Sequence, residues 1–356
     1  MKIAILNDTH CGIRNSSDIF LDNAEKFFTD VFFPYLMENG ISHIVHLGDY
    51  FDNRKFINFR ALNRNRQFFL AKLREHKITM DIICGNHDTF YKNTNELNSL
   101  KELLGHYMNE IHIIHQPTVM DYDGLKMALL PWICPENEKE SLDFIRNCKA
   151  DVLGGHLELD GFDMMKGIPN THGMDPSLFS RFESVYSGHF HTKSQQGNIH
   201  YLGSQMEFTW ADAHDPKYFH IFDTDTQELT PVLNPIEMFE KVFYDDTKET
   251  FESIANADYS NVTKKFVKVI VVNKDNPYWF DTFLDKIHAN APIHLSVVDD
   301  HKHMDVLGDD EIEDIEDTLT ILSKYVDGLD IQGKKKPLNE LMTTLYNEAL
   351  DEHSFL

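Results

Sequence analysis

The sequence predicts an α/β protein: two packed sheets, a small α+β module after them and a helical tail. Three observations carry this expectation. In the first half, short apolar runs alternate with longer amphipathic segments, the pattern of parallel strands joined by helices. Beyond Ile111 the apolar runs shorten and turn signals separate them, which suits a second sheet packed on the first. Past Pro231–Pro235 a compact strand-helix-strand-helix-strand pattern begins.

Taken in order, Ile3–Leu6 is wholly apolar and reads as a buried strand. Asp18–Met37 spaces Ile19, Ala24, Phe27, Phe28 and Val31 along one helical face. Ile41–Leu47 is a second strand, Phe59–Glu75 a helix and Ile78–Cys84 a third strand. The shorter runs are Ile111–His115, Lys126–Pro131, Asp151–Gly154, Val185–Ser187, Ile199–Leu202 and Tyr218–Phe222. Asp123-Gly124 and Gly197-Asn198 punctuate them, and a helix is expected near Glu138–Cys148. The module reads as strand Phe239–Asp245, helix Lys248–Asn256, strand Lys265–Val272, helix Pro277–Asn290 and strand His294–Val298. Asp299–Asp317 holds ten acids against Lys302 alone, the composition of a solvated linker. In the tail, Leu319, Leu322, Tyr325 and Val326, then Leu338, Leu341, Met342, Leu345, Tyr346 and Leu350, outline two amphipathic helices about Gly333–Pro337. The expected divisions are a main domain over 1–232, a module over 233–300, an acidic linker over 301–317 and a tail over 318–356.

A chain of 356 residues suits two domains at roughly 150 residues each. At 42% hydrophobic and 26% charged it is neither disordered nor collagen-like. Its 33 Lys+Arg face 58 Asp+Glu, a net charge of −25, the opposite of a protein that grips nucleic acid through a broad basic surface. A nucleic-acid substrate would need positive charge from bound metal ions or a second polypeptide. The cysteines Cys11, Cys84, Cys134 and Cys148 form no C-x-x-C, no disulfide framework and no zinc knot, so a reducing, cytoplasmic setting is expected. The run Ile3–Leu6 is too short for a secretory signal, and with no 18-residue apolar stretch no membrane span is expected.

The chemistry lies where His, Asp and Asn fall relative to the strands. Asp8-Thr9-His10, Gly48-Asp49-Tyr50-Phe51-Asp52, Gly85-Asn86-His87-Asp88, Gly155-His156 and Gly188-His189-Phe190-His191 each follow an apolar run. Open α/β sheets bind ligands outside the carboxyl ends of their strands. The five clusters therefore gather on one edge. Their donor set is oxygen and nitrogen without thiolate, which suits Mn²⁺, iron or Zn²⁺ in a catalytic site. It exceeds one ion's needs and fits two ions about 4 Å apart sharing a carboxylate. Any one cluster has an ordinary explanation, such as a helix N-cap for Asp52 or a hydrogen-bonded core imidazole for His156; the ordered set does not. His43, His46, His112, His115, His301 and His303 lack partner motifs and read as structural.

This ordered set is similar to that of the calcineurin-like metallophosphoesterases, and within them it resembles the SbcD-type DNA-repair nucleases, the recombination endonuclease subunits of T-even-type phages included. Serine/threonine phosphatases of the superfamily typically read G-D-x-V-D-R-G and G-N-H-E. Here Gly48–Arg54 and G-N-H-D stand instead, as in the nucleases, and Leu130–Cys134, Gly155–Phe162 and Ser187–Thr192 have similar counterparts there. The motifs span about residues 1–222; beyond them only the layout is alike.

The resemblance implies a four-layer α/β/β/α sandwich of two mixed sheets, with a small DNA-capping domain and partner-binding helices. It implies that Asp8, His10, Asp49 and His191 hold one divalent ion and Asp49, Asn86, His156 and His189 the other, with Asp49 bridging. His87 would be the catalytic acid, oriented with its neighbours by Asp52 and Asp88. The ions would be Mn²⁺, with Mg²⁺ the second choice. The activity would be hydrolysis of DNA phosphodiesters, as exonuclease and endonuclease, in recombination, repair and replication. The partner would be an SbcC-type coiled-coil ATPase, and the chain would form a homodimer. The alternative enzyme is a phosphoprotein phosphatase or cyclic-nucleotide phosphodiesterase, which needs no such tail. A non-enzymatic scaffold is disfavoured because the whole ligand set is present.

Overall fold

The computed structural model describes residues 1–165 and 168–298. The expected acidic linker and helical tail lie outside the described residues.

Strand β1 (Lys2–Leu6) buries Ile3, Ala4, Ile5 and Leu6, as a strand covered on both faces must. Parallel to it run β2 (His43–His46), β3 (Thr79–Ile83) and β4 (Ile111–Ile114). The connecting helices share one device. Helix α1 runs over Asp18–Lys26, opens into a π-helical turn at Phe27–Phe32 and resumes over Phe33–Glu38. Helix α2 covers Phe59–Asn65, a π turn at Arg66–Leu70, then Ala71–His76. A π turn changes the phase of the apolar stripe. It lets adjacent residues such as Phe27 and Phe28, or Phe68 and Phe69, all face the core. Phe28 stacks on Phe68 at 5.7 Å and meets Phe69 edge-on at 4.7 Å, so the aromatics lock the two helices together. Asn58 caps α2 by accepting from Arg60 N and Ala61 N.

The second sheet holds β5 (Thr118–Tyr122), β6 (Leu125–Leu130), β7 (Val152–His156), β10 (Ser184–Gly188), β11 (Ser194–Gln196) and β12 (Ile199–Tyr201), in the order β11-β12-β10-β7-β6-β5. A short hairpin, β8 (Asp163–Met165) and β9 (Ile168–Pro169), lies between β7 and β10 in the chain. Two of the later runs do not join this sheet as expected. Ile111–Ile114 extends the first sheet beside β3, and β13 (Tyr218–Asp223) returns antiparallel to β1, carrying β14 (Leu229–Leu233) on its outer edge. A short apolar strand reads the same in either sheet, and only long-range pairing decides. Pro231 stands inside β14, where an edge strand tolerates it.

Three apolar layers follow. Helices α1 and α2 cover one face of the first sheet; Ile3, Ile5, Val45 and Ile83 meet Met127, Leu129 and Val152 between the sheets; and Ile145 of helix Glu138–Asn147 joins Phe162 and Phe179 on the far face of the second. This is the expected four-layer α/β/β/α sandwich of two mixed sheets. The module pairs β15 (Phe239–Asp245), β16 (Phe266–Asn273) and β17 (His294–Val298) all in parallel, with helices Phe251–Asn256 and Pro277–Ala289 packed on one face through Ile254, Phe280, Phe283 and Ile287. Phe239 and Phe266 stack beside Phe20 of α1 and Trp210, seating the module on the main body. Among the described residues no helix is long and apolar enough to cross a membrane.

Candidate metal centre

The five clusters stand at the carboxyl ends of β1, β2 and β3 in the first sheet and of β7 and β10 in the second; Gly155 and His156 are the last residues of β7 itself, and Gly188 the last of β10. The chain turns there at a conformational cost. Asp8, His10, Asp49 and His189 all have positive φ, between 42° and 86°. Side chains rarely adopt this region, and it persists only where surrounding contacts impose it. Glycine meets a stricter demand at two points. A Cβ on Gly48 would stand 2.6 Å from His156 Nδ1, and one on Gly85 would stand 2.2 Å from Asp49 Oδ1.

Three groups of ligand-type atoms result among the described residues. Asp8, His10 and His191 form one and Asp49, His156 and His189 a second; a third, His10, Asp52 and His87, shares His10 with the first. In the first, His10 Nε2 and His191 Nε2 are 3.1 Å apart, with Asp8 Oδ1 3.9 Å from His10 Nε2. In the second, Asn86 Oδ1 lies 2.9 Å from both His156 Nε2 and His189 Nδ1, and Asp49 Oδ2 is 3.3 Å from His156 Nε2. The same Asp49 Oδ2 lies 3.9 Å from His10 Nε2, so one carboxylate oxygen stands between these two groups. Its partner Oδ1 accepts the His87 N–H at 2.7 Å.

The surroundings fix which atoms face inward. His156 Nδ1 donates to the Leu47 carbonyl at 2.8 Å, so Nε2 is the ring nitrogen turned toward Asn86 and Asp49. Asp52 places Oδ1 3.2 Å from His10 Nδ1, while its carbonyl accepts from His87 Nδ1 at 2.6 Å, so one residue orients two imidazoles. Asp52 does not cap the following helix, a task that falls to Asn58. Asp88 is fully buried and belongs to none of the ligand groups. It accepts from the backbone N–H groups of Asp49, Tyr50, Phe51 and Gly85 at 2.9–3.1 Å, tying the loops after β2 and β3 together.

The donor set fits divalent cations on electrostatic grounds. Burial alone would lower both imidazoles, yet the carboxylates Asp49 and Asp8 bring His156 up to about 9, and Asp52 and Asp49 do the same for His10. Their neighbours go the other way: burial and the charge on His156 take His189 down to about 3, and burial and His10 hold His191 well below its ordinary value. Each group thus demands one positive charge and cannot share it between two imidazoles. A cation placed among lone pairs meets that demand, where protons meet it only in part.

All the sequence-predicted site residues except Asp88 border this centre, and Asp88 stands directly behind it. Of the histidines read as structural, His46 faces Thr9 Oγ1 at 3.0 Å, and His43 and His112 both bond Asp81; His301 and His303 lie outside the described residues. Three unpredicted residues complete the site. Asn7 bonds Asp8 Oδ2 at 2.6 Å; Phe208 sets its ring edge-on to His10 and His191 at 5.5 and 5.4 Å; and Lys217 donates to the His191 carbonyl at 3.0 Å. Only Asn7 had a signal, its adjacency to Asp8. The other two arrive from a segment that carries no motif.

The family model for calcineurin-like phosphoesterases matches residues 1–193. The chain belongs to the calcineurin-like phosphoesterase family. It is therefore a hydrolase of a family that works with divalent metal ions. It is 32% identical to exonuclease subunit 1 of Enterobacteria phage T4 over 98% of this chain and 99% of that one. It is 22% identical to the SbcD component of the SbcCD nuclease of Staphylococcus saprophyticus over 67% of this chain and 69% of that one.

Proposed function

We propose that this phosphoesterase is a DNA nuclease with a binuclear metal centre, the nuclease subunit of a two-component complex in DNA recombination, repair and replication. The observation that carries the reading is the Asp49 carboxylate standing between two groups of ligand atoms, in a chain similar end to end to a phage exonuclease subunit. Asp8, His10, Asp49 and His191 hold one ion; Asp49, Asn86, His156 and His189 hold the other. When bound, the ions, Mn²⁺ by preference and Mg²⁺ otherwise, would supply neutralisation of the phosphate charge and a lowered pKa for an attacking water. His87, oriented through its Nδ1 by the Asp52 carbonyl, presents Nε2 to donate a proton to the leaving sugar oxygen. Asp52 also steadies His10, and Asp88 holds the two loops that carry Asp49 and Asn86.

Residues 1–232 act as the nuclease domain and 233–300 as the domain that caps DNA over the centre. The net charge of −25 leaves most phosphate contacts to a partner. That partner is an SbcC-type coiled-coil ATPase, docked on the tail helix through Leu338, Leu341, Leu345 and Tyr346. A homodimer forms on the face where Phe56 and Phe59, 74% and 82% exposed, flank the start of α2. The complex works in the cytoplasm.

The test is cleavage of single- and double-stranded DNA with Mn²⁺, with and without the matching ATPase, beside a phosphopeptide and a cyclic nucleotide. Mn²⁺-dependent DNA cleavage supports the reading. Turnover confined to the phosphopeptide or the cyclic nucleotide overturns it in favour of the phosphatase or cyclic-nucleotide phosphodiesterase alternative.

A further inference from the structure

Outside the five motifs, the segment Gly203–Lys217 makes more directed contacts with the centre than its sequence suggests. Lys217 is 4% exposed. Its Nζ lies 2.6 Å from Asp212 Oδ1, 2.9 Å from Asp215 Oδ2 and 3.0 Å from the His191 carbonyl oxygen. An ammonium has three N–H donors, and these three acceptors take all of them. The carbonyl that receives one of them belongs to a loop residue outside any strand or helix, held otherwise by Ser204 N at 3.0 Å.

The same ion pair acts a second time. Asp212 Oδ2 accepts from the backbone N–H groups of Phe208 and Thr209 at 2.9 and 2.8 Å. That fixes the Phe208 ring edge-on against His10 and His191, at interplanar angles of 77° and 69°. Lys217 thus sets the backbone of His191 directly and the wall behind two imidazoles through Asp212. The neighbouring Glu207 carboxylate accepts from Met238 N and Phe239 N, where the module begins. One short segment therefore grips the first ligand group at one side and the module's first strand at the other.

Stability is a poor reason for such a pair. Burying an ammonium and a carboxylate costs several kcal/mol in desolvation, and apolar residues of similar size often serve a core as well or better. The geometry offers a different reason. We infer that Lys217, paired with Asp212, is a positioning residue for His191: it fixes the direction of the His191 imidazole so that the first ion binds. The inference rests on the reading of His191 as a metal ligand. Outer groups that orient metal ligands typically control affinity by about 10–100-fold.

The test is calorimetric titration of the full chain with Mn²⁺, comparing wild type with Lys217→Met, Lys217→Arg and the double variant Lys217→Met/Asp212→Asn. The double variant leaves no unpaired buried carboxylate at position 212, so it guards against a folding defect. The expected result is two ions in wild type. In both variants carrying Lys217→Met, one of the ions is weakened about 10–100-fold, and the other is unchanged. Lys217→Arg recovers most of the loss, and kcat on a small phosphodiester falls more than KM rises. Two ions bound by the double variant as tightly as by wild type overturn the inference and leave the metal reading intact. Equal weakening of both ions with a lowered melting temperature also overturns it, in favour of a purely structural role. No Mn²⁺ bound by wild type overturns the metal reading itself, and the inference with it.

Discussion

At the scale of single residues, the centre separates groups that hold charge from groups that aim them. Asp49 commits one oxygen to the His87 amide and turns the other toward both imidazole groups. Asp49→Ala is therefore expected to lose Mn²⁺ binding altogether. His87→Ala should keep Mn²⁺ nearly intact and lower kcat by about 10²–10⁴-fold, the usual contribution of a general acid. Calorimetric titration and steady-state cleavage of the two variants check this, and equal metal loss in both would defeat the division of roles. Gly85 gives a sharper steric case. A methyl group there would stand 2.2 Å from Asp49 Oδ1, so Gly85→Ala must displace the carboxylate or the loop. It is expected to abolish Mn²⁺ binding and lower the melting temperature. A wild-type Mn²⁺ isotherm for that variant would count against the geometry.

At the scale of elements, the joint between main body and module carries a proton. Burial pushes the Glu207 carboxyl from 4.5 up to about 7, although the Met238 and Phe239 amides pull it back. Between those values the folded chain keeps a proton that the unfolded chain has released. The stabilisation is full below pH 4.5 and is lost as pH rises toward 7. A shift of this size corresponds to about 3 kcal/mol across the window. Glu207→Gln removes the titration, so its stability relative to wild type should rise by about this amount between pH 4.5 and 7.5. Urea unfolding of the metal-free proteins at both values measures it, and an unchanged difference would refute it. The tail belongs to this scale too. Truncation at Gly333 is expected to end co-purification with the ATPase and to spare Mn²⁺-dependent cleavage of a small phosphodiester. Loss of both activities would reject docking as the tail's role.

At the scale of the molecule, the proposed centre would link folding to metal binding. Cations held there would offset the positive-φ backbone of Asp8, His10, Asp49 and His189 and the crowding of the ligand-type atoms. A ligand that binds only the folded state stabilises it by RT ln(1 + [L]/Kd), about 2.7 kcal/mol per site at a hundredfold excess over Kd. Mn²⁺ should therefore raise the melting temperature and EDTA should reverse the rise, as differential scanning fluorimetry would show. The charge of −25 makes a second molecular prediction. The isolated chain should bind DNA weakly at physiological salt, and the partner should add both affinity and a steep salt dependence. A tight complex of the chain alone, measured by fluorescence anisotropy, would overturn that.

From the sequence alone came the strands and helices up to Ile83, the order of the module's elements and the five clusters at strand ends. These rest on local regularities: apolar periodicity, glycine at sharp turns, and ligand-type residues adjacent in the chain. Helix Ser99–Leu104 and strand Thr118–Tyr122 were not among them. Tertiary structure alone decided which sheet Ile111–Ile114 and Tyr218–Asp223 would join, because a short apolar strand carries no record of its partner. It also decided that Asp88 would hold backbone amides rather than face the centre, and that Phe208 and Lys217 would reach His191 from a segment without a motif. Those facts depend on contacts between residues far apart in the chain, and no local pattern encodes where a buried donor finds its acceptor.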